Sequence, residues 1–228
     1  SLVNSSRPVK FQFNSKELEG FQGDTLASAL LANNQLLIGR SFKYHRPRGL
    51  VASGAEEPNG LVGLGEGNSF EPNARATTTE LFDGLVSCSQ NHWPSLEFDI
   101  GYVNNYLSSL LPAGFYYKTF IHPRPAWKYI FEPIIRMSAG LGKPTKGKDP
   151  DKYEHFYAYV DVLIVGGGIS GLYSAKVAAK SGARVLLIEQ TPHLGGQASI
   201  DNPLIDQGPT TNWITKLTKE LEGMNNVT

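Results

Sequence analysis

The chain has 228 residues with 21 basic and 21 acidic side chains, a balance that gives no electrostatic case for a nucleic-acid or membrane-surface partner. No apolar run is long enough to span a bilayer and Ser1 to Arg7 is too polar for a signal peptide, so the expectation is a cytoplasmic protein. The single cysteine, Cys88, excludes an internal disulfide and a multi-cysteine metal site built from this chain alone.

In chain order, VKFQF, a turn at Asn14 and Ser15, and KELEGF read as a β-hairpin. TLASALLANN follows as a helix, with Asp24 or Thr25 as N-cap and an apolar stripe at Leu26, Ala29, Leu30 and Ala32. A hairpin followed by such a helix suggests a β-grasp unit. The basic loop holding His45, Arg46 and Arg48 beside Pro47 is expected to make ion pairs or interdomain contacts. From Gly65 to Lys152 the text is turn-rich and studded with aromatics and prolines, as in NHWPSLEFDIGY, PAGFYYKTF and HPRPAWKYIFEP. Segments like these wrap over a neighbour more often than they form a core. GKPTKGKDPDKY, residues 142 to 153, reads as a solvated linker. His92, His122 and His155 lack metal-ligand spacing, and Trp93, Trp127 and Trp213 read as packing anchors. No nucleophile constellation or Walker loop is present, so no catalytic residue and no metal ligand is expected.

The stretch DVLIVGGGISGLYSAKVAAKSGARVLLIEQ, residues 161 to 190, is the most specific. Val162 to Val165 predicts a buried parallel strand, followed by Gly166, Gly168 and Gly171 at GxGxxG spacing, a helix, and a second strand from Arg184 to Ile188. Gly166 suits the tight turn, Gly168 lets backbone approach a pyrophosphate, and Gly171 permits close helix to strand packing. The pyrophosphate is expected on the helix N-terminus. Glu189 stands where an acid accepts hydrogen bonds from a ribose, which favours NAD or FAD over NADP. After the helix Thr210 to Glu222, a third parallel strand is due where Val227 and Thr228 stand, so the nucleotide unit is expected to be incomplete.

SFKYHRPRGLVASGAEEPNGLV, residues 41 to 62, resembles the ferredoxin-like N-terminal domain of a family of multi-subunit amine-oxidising flavoenzymes. Together with ELFDGL and SQNHWPSLEFDIG, it is similar to the α subunit of the heterotetrameric sarcosine oxidases. That resemblance covers essentially the whole chain and implies the N-terminal portion of a longer subunit. Where iron–sulfur members carry cysteines spaced C-x4-C-x2-C, this sequence has Ala52, Glu57 and Gly60, which implies a ferredoxin-like fold without an iron–sulfur cluster. The fold class expected is α/β with an α+β N-terminal unit. Residues 1–80 form a β-grasp domain, 81–156 a connecting segment, and 157–228 the first part of a Rossmann-type domain.

The resemblance further implies NAD as this chain's nucleotide, with FAD and FMN in the assembled complex and β, γ and δ subunits as partners. By matched position, the NAD contacts are Gly166, Gly168, Ser170 and Gly171, then Glu189, Gln190, Thr191 and Gln197. LGGQ, residues 194 to 197, resembles the second glycine signature of two-dinucleotide-domain flavoproteins. The activity implied is oxidative demethylation of sarcosine with oxygen and tetrahydrofolate, giving hydrogen peroxide. Alternatives are a related opine or imino-acid dehydrogenase holding FAD, and a noncatalytic scaffold.

Overall fold

The computed structural model describes residues 3–110, 113–114 and 122–228. They fall into two compact units, Ser1–Lys152 and Tyr153–Thr228, both of mixed α and β structure. Most of PAGFYYKTF lies outside the described residues.

The first unit begins with the expected hairpin. Strands β1 (Asn4–Phe13) and β2 (Lys16–Gln22) pair antiparallel from Phe13 and Lys16 outward. Asn14 and Ser15 join them with φ of 50° and 64°, the left-handed pair that a two-residue hairpin turn with the right twist requires. Val9, Phe11 and Phe13 alternate inward along β1. Helix α1 (Leu26–Ala32) is only two turns long and depends on its ends and its packing. Thr25 accepts from the Ser28 N–H, while the Ser28 hydroxyl accepts from the Thr25 N–H. The N–H groups of Leu26 and Ala27 are taken by the carbonyls of Thr79 and Ala76. Leu26, Ala29 and Leu30 are fully buried against Phe11, Ile38 and Val62 in the same core.

Short strands β3 (Gly39–Arg40) and β4 (Pro47–Arg48) bracket the basic loop. Three more strands, β5 (Leu61–Leu64), β6 (Glu71–Arg75) and β7 (Leu85–Ser89), complete a five-stranded sheet in the order β2-β1-β7-β5-β6. The β1·β7 pairing is parallel and the others are antiparallel. Part of the turn-rich text therefore belongs to a core. Its β7 strand is hard to recognise because Leu85, Ser87 and Ser89 point inward, and two of those are serines. Ser87 Oγ donates to the Gln12 carbonyl at 2.6 Å, and Ser89 Oγ to Asn14 Oδ1 at 3.0 Å, so the buried hydroxyls are satisfied without apolar residues. Farther along, Trp127–Phe131 forms a π-helical turn that leads into α2 (Glu132–Ser138).

In the second unit β8 (Val162–Val165) and β9 (Val185–Ile188) pair in parallel over four residues. Helix α3 (Ile169–Lys180) crosses between them, and α4 (Thr210–Glu222) packs beside it through Leu172, Ala175, Ile214, Leu217 and Leu221. Beyond α4 the backbone returns to the sheet. Val227 bridges Val185 in parallel, and Leu187 N–H donates to the Thr228 carbonyl at 2.9 Å. One expectation needs correcting: β8 is not buried on both faces. Leu163 and Val165 are exposed while Val162 and Ile164 face the helices, because the described helices cover a single side of these strands. Among the described residues no helix is long and apolar enough to cross a membrane.

Candidate functional site

The turn between β8 and α3 is the best-formed candidate. Gly166 closes the end of β8 with its N–H on the Ile188 carbonyl at 2.7 Å. Its φ of +104° is a conformation that a side chain disfavours. Gly171 is required for a different reason. A Cβ there would lie 1.9 Å from the Gly166 carbonyl oxygen, so helix and turn can approach this closely only without one. Gly168, the N-cap of α3, has an ordinary φ of −68° and nothing within 4 Å of a hypothetical Cβ. No protein atom excludes a side chain at Gly168, and the space is of the kind that a ligand pressed on the backbone needs.

The first hydrogen bond of α3 runs from Leu172 N–H to Gly168 C=O. The N–H groups of Ile169, Ser170 and Gly171 precede it at the positive end of the helix dipole, and α3 has no side-chain cap. Ser170 is exposed on that first turn.

Glu189 follows β9 and faces the same turn. Its Oε2 accepts from the Gly167 N–H at 2.6 Å, and its Oε1 accepts from Thr191 N–H and Oγ1 at 2.9 and 3.0 Å. The Gly167 N–H, then that of Thr191, hold its carboxyl below the usual range, so it is an anion at neutral pH. Thr191 turns back on Glu189 and on the His193 carbonyl. Gln190 is exposed. The Gln197 amide donates to Asp201 on its own helical turn at 3.1 Å. Glu189, Gly166, Gly168 and Gly171 thus converge, while the side chains of Gln190 and Gln197 are exposed beside them and, among the described residues, make no hydrogen bond to the turn.

Two further glycines take part: Gly195 lies in the LGGQ stretch already singled out, whereas Gly167 was not. Gly167 is buried and fixes Glu189 through its N–H. Gly195 is also buried, with φ +112°, and its N–H donates to the Gly167 carbonyl at 2.8 Å, clipping the 194–197 loop onto the turn. The available signal for Gly167 was the run of three glycines, Gly166 to Gly168, after β8.

Residues 161–224 match the family model described as FAD dependent oxidoreductase, and residues 6–92 match that of a 2Fe-2S iron-sulfur cluster binding domain. Sarcosine oxidase subunit alpha of Rhizobium meliloti (strain 1021) is 50% identical over 99% of this chain and 23% of its own length. The chain is a homologue of sarcosine oxidase α subunits. The Corynebacterium sp. (strain U-96) subunit is 29% identical over 99% of this chain and 19% of its own. This homologue therefore spans about a fifth to a quarter of the length of these curated relatives. L-proline dehydrogenase from P. horikoshii shares the fold, with a TM-score of 0.51 at 18% identity over 99% of this chain and 33% of that one.

These matches correct the cofactor expectation. The absence of an iron–sulfur cluster is overturned by the match of residues 6–92 to a cluster-binding domain, and NAD was expected in a unit whose matching family is FAD dependent. The physical reason for the second error is plain: an acid that accepts from ribose hydroxyls recognises the half-molecule that NAD and FAD share. The donors of a two-iron cluster are thiolates, and this chain contributes one thiol, Cys88. Among the described residues no group of three or more His, Cys, Asp or Glu side chains is placed to hold a metal ion. Ala52, Glu57 and Gly60 lie in a loop organised otherwise. Glu57 is 2% exposed, and its carboxylate accepts from the N–H groups of Val51 and Ala52 at 2.7 and 2.6 Å and of Asn59 at 2.8 Å.

Proposed function

We propose that this chain is part of the α subunit of a flavin-linked amine oxidoreductase, and that its second unit is the first half of a Rossmann-type domain holding the ADP portion of FAD. The carrying observation is the turn between β8 and α3: a left-handed Gly166, an uncapped helix start, and open space over Gly168. The N–H groups of Ile169 and Ser170 receive the pyrophosphate, and Glu189 accepts from the adenosine ribose. FAD, when bound, supplies a two-electron acceptor. This chain's described residues bind and orient it and carry out no proton transfer of their own.

The first unit, in this reading, is a ferredoxin-type β-grasp whose hairpin, helix and parallel β1·β7 pairing form a rigid platform, joined by a connecting segment to the nucleotide unit. The whole enzyme is a heterotetrameric sarcosine oxidase with β, γ and δ subunits, demethylating sarcosine to glycine and passing the one-carbon unit to tetrahydrofolate. The relatives named sarcosine oxidase subunit alpha support this. Denaturing the full-length protein and recording the spectrum of the released nucleotide tests the site. A visible flavin spectrum that disappears from Gly168→Val is expected; undiminished nucleotide in that variant overturns the assignment.

A further inference from the structure

We infer that a cavity beside the basic loop of the first unit is a receptor for a phosphate dianion, free or as a small monoester. The cavity has a volume of about 280 Å³ and is lined by Arg40, Ser41, Phe42, Arg48, Asn59 and Asn91 among others, with two arginines and no acidic side chain. That size accommodates a phosphate with a small organic body but not a dinucleotide.

The two arginines differ in how they are held. Arg40 is clamped: its Nε and Nη2 donate to the Leu96 carbonyl at 2.9 and 2.6 Å, Nη2 to Glu97 O at 2.8 Å, and Nη1 to His45 O at 3.2 Å. Every one of these partners is a neutral carbonyl and together they take four of the five guanidinium N–H groups, so Arg40 brings a fixed charge and one remaining Nη1 donor, and among the described residues no carboxylate pairs with it. Arg48 follows in β4, and among the described residues no hydrogen bond or ion pair engages its guanidinium. The rest of the loop is committed elsewhere. His45 Nδ1 lies 2.6 Å from Asp99 Oδ2, whose side chain is 1% exposed, and Arg46 donates to Asn105 at 2.6 Å and stacks over Tyr44. The ion pairs or interdomain contacts expected of this loop thus have a counterpart in the His45–Asp99 contact, and Arg48 is left at the cavity.

Neutral groups complete the receptor. The Asn91 amide donates to the carbonyls of Arg40 and Ser41 at 3.1 and 3.0 Å, fixing the wall. Ser41 Oγ accepts from the Arg46 N–H, so its own O–H is available to donate. The neighbouring carboxylate, Glu57, is turned onto backbone N–H groups. Two guanidinium charges match a dianion better than a carboxylate, and it is the planar fork of Arg48, with Arg40's donors already largely taken, that suits a tetrahedral oxyanion.

Calorimetric titration of the full-length protein with inorganic phosphate and with adenosine 5′-monophosphate tests the inference and separates the free from the esterified anion. At least one probe is expected to bind, with affinity falling about tenfold or more in Arg48→Gln and largely kept in Arg48→Lys. Circular dichroism confirms that these exposed-site variants remain folded. Gly168→Val, which acts on the other unit, is expected to leave this binding intact. No binding of either probe, wild-type affinity in Arg48→Gln, or loss in Gly168→Val alone overturns the inference, the last by placing the anion on the nucleotide turn.

Discussion

Gly171 and Gly168 sit three positions apart in one motif, yet the structure requires glycine at the two for opposite reasons. At Gly171 the obstacle is the protein itself, a carbonyl 1.9 Å from any Cβ. Gly171→Ala is therefore expected to lower stability by about 1–3 kcal/mol, with a reduced thermal midpoint whether or not nucleotide is present. At Gly168 the protein leaves room. Gly168→Ala is expected to keep the nucleotide-free melting temperature while weakening the stabilisation that added FAD confers, and a fall in the nucleotide-free midpoint would refute the distinction. Glu57 makes a pH-dependent prediction. Burial alone would raise its pKa, but the N–H groups of Ala52, Asn59 and Val51 outweigh it and hold the carboxyl below its ordinary 4.5. A lowered folded pKa means that the stabilisation is complete above that ordinary value and is lost as pH falls through the folded one. Acid unfolding followed by fluorescence should show a steeper pH dependence in the wild type than in Glu57→Gln. At neutral pH the variant should be less stable by about 1–3 kcal/mol.

Helix α1 shows how an element too short to stand alone is fixed. Its two turns are held by the reciprocal Thr25–Ser28 bonds and by carbonyls from the β6–β7 connection. Thr25→Ala is expected to cost about 1 kcal/mol in denaturant unfolding, and Thr25→Ala with Ser28→Ala less than the sum of the two, because each removes half of one arrangement. This helix was legible in the sequence, as were the hairpin turn at Asn14 and Ser15 and strand β8, because capping residues, turn residues and apolar runs are local signals. Strand β7 was not. Its inward serines are satisfied by Gln12 and Asn14, some 75 positions away, and no local window contains those partners. The nucleotide turn divides along the same line. Its glycines and Glu189 read directly from spacing, whereas the Gly167 bond to Glu189 and the clip by Gly195 exist only after the chain has folded back.

At the scale of the whole chain, two compact units follow one another along the sequence, and the boundary between them falls in a segment with little structure of its own. Residues 142–147 are tied to the first unit, since Gly142 N–H donates to Asn73 at 3.0 Å and Thr145 Oγ1 to Asn68 at 3.1 Å. From Lys148 to Tyr159 every residue is exposed and none is in a helix or strand. Limited trypsin digestion should therefore cut first after Lys148 or Lys152, yielding fragments that mass spectrometry can place. First cuts inside the five-stranded sheet would contradict this. The parallel pairing of β1 with β7 governs the order in which that sheet is assembled. Phe11 and Leu85 are register partners 74 positions apart, so the hairpin and α1 can form early while one side of β1 remains an unpaired ladder until β7 has been synthesised. The first unit should refold on the millisecond-to-second scale typical of such non-local topologies, and a nascent chain halted before Leu85 should expose Phe11 and Phe13 to chaperones.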